Sequence, residues 1–376
     1  MRRVATLSTV ALSLILGVQP ALAYGANDDW MPPRCDQVTG DGSVTFTWND
    51  GNSLARTSQP VTPATTVSDV DVLSSANRLL SVGAGGRLSA SDDAGCTWAE
   101  IGRLDGQAPF MITPAPDGSA YVWTKYDEVR LYRVVGAAVT ELKPAGLENR
   151  ALMALVAAPS DPRHVRVVDT GGVVLDSTDG GLSFKAMGGA PTLPGGGMVG
   201  LYDAAVAPTD LDRVVVGTVG DGAFTSADGG RTWTQSAMGA KGNRMNVFTA
   251  SVSAVDPSVV WVMGLDIAEH DSGASSEGRH IYRSTDGGQT FRPVVDHEFG
   301  EVTLTNGLLL VPHPTDPSRV YFEFGSWFLG YGTDLFSYDA MHDRLTKTHN
   351  PYDDVTAIAF SPRFPTLAYL GLSEQR

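Results

Sequence analysis

The chain has 376 residues, with 27 Lys plus Arg against 42 Asp plus Glu for a net charge of −15, and it carries 42 Gly and 22 Pro. Only 18% of the residues are charged and 42% are hydrophobic, which argues against a coiled coil and against disorder and leaves a turn-rich fold with a sizeable core. No run of Lys or Arg occurs, so the composition speaks against a nucleic acid or an anionic membrane as partner.

The first predicted element is an address. Met1 to Ala23 joins a basic start (Arg2, Arg3) to an apolar run from Val10 to Val18 and an Ala21-Leu22-Ala23 ending, the pattern of a secretory signal peptide cut after Ala23. The run is too short for a spanning helix, so the expected product is a secreted, extracellular chain. Without the leader, 25 basic residues face 42 acidic ones and the charge becomes −17. Residues 24–34 read as an N-terminal extension. Cys35 and Cys96 are the two cysteines, so a bridge within one molecule joins them; two free thiols or an intermolecular bond is the alternative. Closing a loop of about 60 residues in this way is worth ~4 kcal/mol of chain entropy.

Next comes a predicted hairpin, Val44 to Trp48 and Ser53 to Thr57 around Asn49-Asp50-Gly51-Asn52, and then an apolar pair, Val67 to Leu73 and Arg78 to Val82. A pattern Ser-x-Asp-x-Gly-x-Thr/Ser-aromatic then recurs four times. It runs from Ser91 through Asp93 and Gly95 to Trp98, from Ser177 through Asp179 and Gly181 to Phe184, from Ser226 through Asp228 and Gly230 to Trp233, and from Ser284 through Asp286 and Gly288 to Phe291. Each copy sits between short alternating runs, which makes it a hairpin turn. The Asp carboxylate accepts turn N–H groups, the Gly supplies positive φ, and the aromatic plugs the core beneath.

These residues resemble the Asp-box (BNR) repeat of sialidases, sortilin-type receptors and several glycoside hydrolase families. The resemblance implies an all-β propeller in which the box joins the third and fourth strands of a blade, opposite the ligand face. It gives Asp93, Asp179, Asp228 and Asp286 a structural role rather than one as catalytic acids or calcium ligands. Blade openings marked by turns at Pro116-Asp117, Asp161-Pro162, Thr209-Asp210, Asp256-Pro257, Asp316-Pro317 and Arg363-Phe364-Pro365, with the pair beginning at Val67, count seven. The expected fold is thus a single seven-bladed β-propeller over 35–376. After Asp354 only two strands remain, so the N-terminal hairpin is expected to complete blade seven in a 2+2 ring closure, with a Cys35–Cys96 bridge stapling the seam.

On the ligand face, the longest predicted loop runs from Leu265 to Gly278 and holds Asp266, Glu269, His270, Asp271 and Glu277. It reads as a docking loop or a weak cation site against the alternative of a solvated acidic loop; no fixed metal-ligand spacing is present, and no metal or cofactor is assigned. Trp327, Phe328 and Tyr331 lie between glycines and form either an exposed platform for a sugar ring or a partner's side chain, or an inward plug of the channel. Lys125-Tyr126-Asp127-Glu128 reads as ordinary turn chemistry. The sialidase-type alternative would need Arg103, Arg150 and Arg244 as a triad and Tyr202 with Asp203 nearby, but the Arg-Ile-Pro signature near the first blade is missing and no Tyr/Glu pair stands out. No Gly-x-Ser-x-Gly elbow or Gly-x-x-x-x-Gly-Lys loop occurs either.

The expected function is therefore non-enzymatic binding of another extracellular protein by a monomer, with Asp266, Glu269, His270, Asp271, Trp327, Phe328 and Tyr331 as the binding residues. A sialidase-like glycoside hydrolase or glycan-binding propeller is the alternative. Only five of the 27 basic residues are Lys, a bias typical of high-GC bacteria. An exported, acidic, single Asp-box propeller of this composition is also similar to a group of secreted bacterial propellers. That resemblance implies a thermolysin-like neutral metalloprotease as partner, whose autolysis the propeller promotes. No short motif carries it, so it assigns no residue.

Overall fold

The computed structural model describes residues 29–40, 43–106, 109–193, 195–239, 244–307, 309–326 and 332–374. The chain forms the expected all-β, seven-bladed propeller. Blade one is Val67–Val72, Leu79–Gly83, Arg87–Ser91 and Ala99–Arg103, hydrogen-bonded in that order from the channel outward. Blades two to six repeat this antiparallel meander, and their inner strands are Phe110–Pro114, Leu152–Ala158, Leu201–Ala207, Met245–Val252 and Leu310–Pro312. Blade seven begins with Asp354–Phe360 and Ala368–Ser373.

Strands form here because apolar residues alternate or run continuously between turn residues, and the two faces of each blade are buried against its neighbours. Between blades four and five, for example, Val215, Met245, Val247, Val260, Val262, Tyr282 and Phe291 share one apolar cluster. The inner strands of blades one, three, four, five and seven each carry a bulge at the same place, between Val67/Asp69, Leu152/Ala154, Leu201/Asp203, Val247/Thr249 and Val355/Ala357. A bulge lets one extra residue turn toward the channel.

The four Ser-x-Asp-x-Gly segments join the third and outer strands of blades one, three, four and five. In blade four the Ser226 hydroxyl accepts the Gly230 N–H at 2.8 Å and donates to Asp228, whose carboxylate accepts the Thr232 N–H at 2.8 Å and the Thr232 hydroxyl at 2.7 Å. These bonds favour the ionised carboxylate: the Thr232 N–H and hydroxyl hold Asp228 at about 2, and the Ser183 hydroxyl and N–H hold Asp179 at about 2. Gly230 has φ +82, and a Cβ there would lie 2.4 Å from Val174 of blade three, so glycine serves both the turn and the blade contact. Of the box aromatics, Phe184 and Phe291 are buried, whereas Trp98 and Trp233 are half-buried and donate their indole N–H groups to Gly95 and Gly189 carbonyls.

A fifth turn of this geometry closes the ring. Thr47 Oγ1 accepts the Gly51 N–H at 3.0 Å and donates to Asn49, and Asn49 Oδ1 accepts the Ser53 N–H at 2.9 Å. Thr, Asn and Ser thus do the work of Ser, Asp and Thr. The strand entering this turn, Val44–Thr47, pairs antiparallel with Ala368–Ser373 as the third strand of blade seven. The departing arm differs from the expected hairpin: the Ala55 N–H still bonds Phe46, but Arg56–Thr57 then pairs in parallel with Gln37–Val38.

Cys35 and Cys96 are joined, with Cα atoms 5.8 Å apart. Trp30, Val38 and Phe46 from the N-terminal segment, Val67 and Val70 of blade one, and Tyr369 of blade seven form the seam core. The segment 24–34 therefore contributes Trp30, which is 0% exposed, to the packing between blades seven and one. No helix among the described residues is long and apolar enough to cross a membrane.

Candidate functional site

The loops between second and third strands and the links entering each inner strand share the face opposite the box turns. On that face two loop residues of blade two, Lys125 and Tyr126, fold over the start of blade three, where the Tyr126 N–H bonds the Leu152 carbonyl. Tyr126 takes φ +61 to do so. Its hydroxyl then reaches blade four, donating to Asp203 at 2.8 Å and to the Tyr202 carbonyl at 3.1 Å. Lys125 Nζ lies 3.1 Å from the same Asp203 carboxylate, and the Ala250 N–H of blade five donates to it at 3.1 Å. Burial, followed by the Asp203 charge and hydrogen bond, pushes the Tyr126 phenol well above its ordinary range, so it stays a donor.

This network borders a cavity of about 570 Å³ at the channel mouth. Its walls include Tyr202 and Phe248, with ring centroids 4.7 Å apart, and Leu309, Leu310 and Asn306 from the link into blade six. Deeper on the inner strand of blade one, Asp69 accepts the Ile112 N–H of blade two at 2.7 Å. Burial raises Asp69 to about 7, against the Ile112 and Val70 N–H groups and the Lys125 charge, and burial with the Asp69 charge raises Asp71 as well. Asp69 and Asp203 are thus equivalent residues: each follows a bulge and each clamps the inner strand of the next blade.

The long blade-five loop contains a short helix, Ile267–Asp271. Asp266 is its buried N-cap and accepts the Ala268 and Glu269 N–H groups. Glu269 turns inward to His280 at 3.1 Å, and His280 also meets Asp296 at 2.7 Å, so a carboxylate–imidazole–carboxylate chain holds the loop to its blade. His270 bonds the Glu277 carbonyl, and His270 and Asp271 are exposed. Among the described residues no group of three His, Cys, Asp or Glu is placed to hold a metal ion. Trp327, Phe328 and Tyr331 lie outside the described residues.

The sialidase-type set does not gather around the cavity. Arg103 lies on the outer strand of blade one near Glu100, Arg150 is bound by Asp169, and Arg244 is exposed before the inner strand of blade five. Sequence reasoning missed Lys125 and Tyr126 because their partners lie two blades away. The signal that could have exposed Asp203 and Asp69 is the shared start of two inner strands, Val67-Ser68-Asp69 and Leu201-Tyr202-Asp203.

The geometry defines a single seven-bladed β-propeller whose channel mouth is a polar and aromatic cavity. No protein-family model matches the chain. It is 38% identical over 380 aligned positions to the dispase autolysis-inducing protein of Streptomyces mobaraensis, covering 100% of this chain and 99% of that protein. The chain belongs to the dispase autolysis-inducing protein family. Among solved structures it is similar to the GH74 enzyme of Niastella koreensis, with a TM-score of 0.54 and 15% identity over 82% of this chain and 51% of that one, so it spans about half of the enzyme's length. It is also similar to YCF48 bound to D1 peptide, with a TM-score of 0.56 and 11% identity over 90% of this chain and 100% of that one. Likeness at these identities concerns the fold.

Proposed function

We propose that this chain is a secreted, non-enzymatic binding propeller that engages a thermolysin-like neutral metalloprotease and promotes its autolysis. The carrying observation is the whole-length match to a protein whose name states that it induces the autolysis of dispase. The propeller acts by binding the protease on its loop face and favouring a conformer that neighbouring protease molecules cleave. Contacts come from the blade-five loop, with His270 and Asp271 outermost, and from Trp327, Phe328 and Tyr331 of blade six. Asp266 and Glu269 shape that loop from within. The hydrolase alternative has fold likeness alone behind it.

The test mixes the pure protein with a purified neutral metalloprotease and follows protease fragments on a gel. Intact protease should vanish faster as the propeller is added, and a metal-chelated, inactive protease should remain whole while still co-eluting with the propeller. An unchanged protease lifetime across a molar excess rejects the reading.

A further inference from the structure

We infer that the channel mouth is a docking pocket for one bulky apolar side chain, carried on an exposed segment whose neighbouring residues are basic. This rests on the protein-binding reading above and specifies the chemistry the face selects. Three observations carry it. First, Tyr202, Phe248 and Leu309 are only half-buried although they line a concave cavity, so apolar surface stands open to water in a space of about 570 Å³, ample for a phenylalanine or leucine side chain. Second, the polar residues on the wall are largely engaged with one another: Asp203 is taken by Lys125, Tyr126 and the Ala250 N–H. The pocket thus offers a neutral ion pair rather than a charge for a ligand to answer. Third, its flanks are acidic. Asp127 and Glu128 follow Tyr126 on one side, Glu298 and Glu301 precede Asn306 on the other, all four are exposed, and the whole chain carries −15. Arg244 is also exposed on this face. Apolar walls within an acidic collar select an apolar side chain between cationic neighbours.

Three capped tripeptide amides, Arg-Phe-Arg, Arg-Gly-Arg and Glu-Phe-Glu, provide the test, titrated into the intact protein by calorimetry or by NMR. Arg-Phe-Arg should bind about tenfold or more tighter than either of the others. Asn306→Trp, which fills the mouth from its exposed rim, should abolish that preference without lowering Tm. Tyr202→Ala should weaken Arg-Phe-Arg about tenfold, and Val135→Ser on the opposite face should leave it unchanged. Equal binding of Arg-Gly-Arg, or undiminished binding to Asn306→Trp, overturns the pocket. Peptide selectivity with an unaffected metalloprotease would reject the partner and support the pocket; accelerated autolysis with no peptide selectivity would do the reverse.

Discussion

Asp69 and Asp203 sit one residue beyond a bulge in two different blades and do the same job in opposite electrostatic settings. Asp203 is answered by the Lys125 ammonium, whereas Asp69 is held by backbone N–H groups and is raised by burial to about 7. A carboxyl whose pKa rises on folding lends stability below its ordinary value near 4, and that contribution disappears as pH climbs through 7. Asp69→Asn keeps an acceptor for Ile112 and never ionises. Its Tm relative to the parent should therefore improve steadily between pH 4.5 and 8, followed by thermal fluorescence, and a pH-independent difference would show that Asp69 is ionised throughout. Neither role was legible in the sequence. An acidic residue after a short polar one marks many turns, and only the bulge, a property of paired strands, turns these two toward the channel.

At the scale of elements, the hairpin turn was the most legible feature, because its chemistry is local. Ser, Asp, Gly and Thr bond within eight residues, so spacing alone reveals them. The fifth turn escaped because each position was replaced by a residue with the same hydrogen-bonding capacity and a different name: Thr47 for Ser, Asn49 for Asp, Ser53 for Thr. If geometry sets the strength, Ser226→Ala and the isosteric Thr47→Val should each cost about 1–2 kcal/mol in denaturant unfolding, since each strips a buried glycine N–H of its acceptor. A silent Thr47→Val would mean that the closing turn is held by strand pairing alone. The blade-five loop shows the limit of such reading. Its acids were visible, but Glu269 and Asp266 proved to serve His280 and a helix start, partners supplied by a later strand and by backbone.

For the whole molecule, seven openings and four boxes were enough to count the blades, because a repeat constrains architecture even where single elements are ambiguous. The seam is where the ring depends on non-repeating parts. Trp30 packs under it, Tyr369 bonds the Ala94 carbonyl at 3.1 Å, Thr356 bonds Val67 at 2.7 Å, and Cys35–Cys96 ties the segment down. Replacing both cysteines by serine should lower stability by about 2–4 kcal/mol and leave the Tyr202 pocket intact, read as a lower Tm with unchanged peptide binding. Loss of binding together with Tm would show that the seam and the channel mouth are one cooperative unit.

That closure also imposes an order in time. Val44–Thr47 finds its partner only in Ala368–Ser373, and Thr66 bonds Glu374 across 308 residues, so the blade begun first during synthesis is finished last. A growing chain carries an unpaired strand for nearly its entire length. Any nascent chain or fragment ending before about residue 368 is left with an open edge, inviting pairing with another copy. Quality control for this ring therefore reduces to whether the ribosome has reached the final strand.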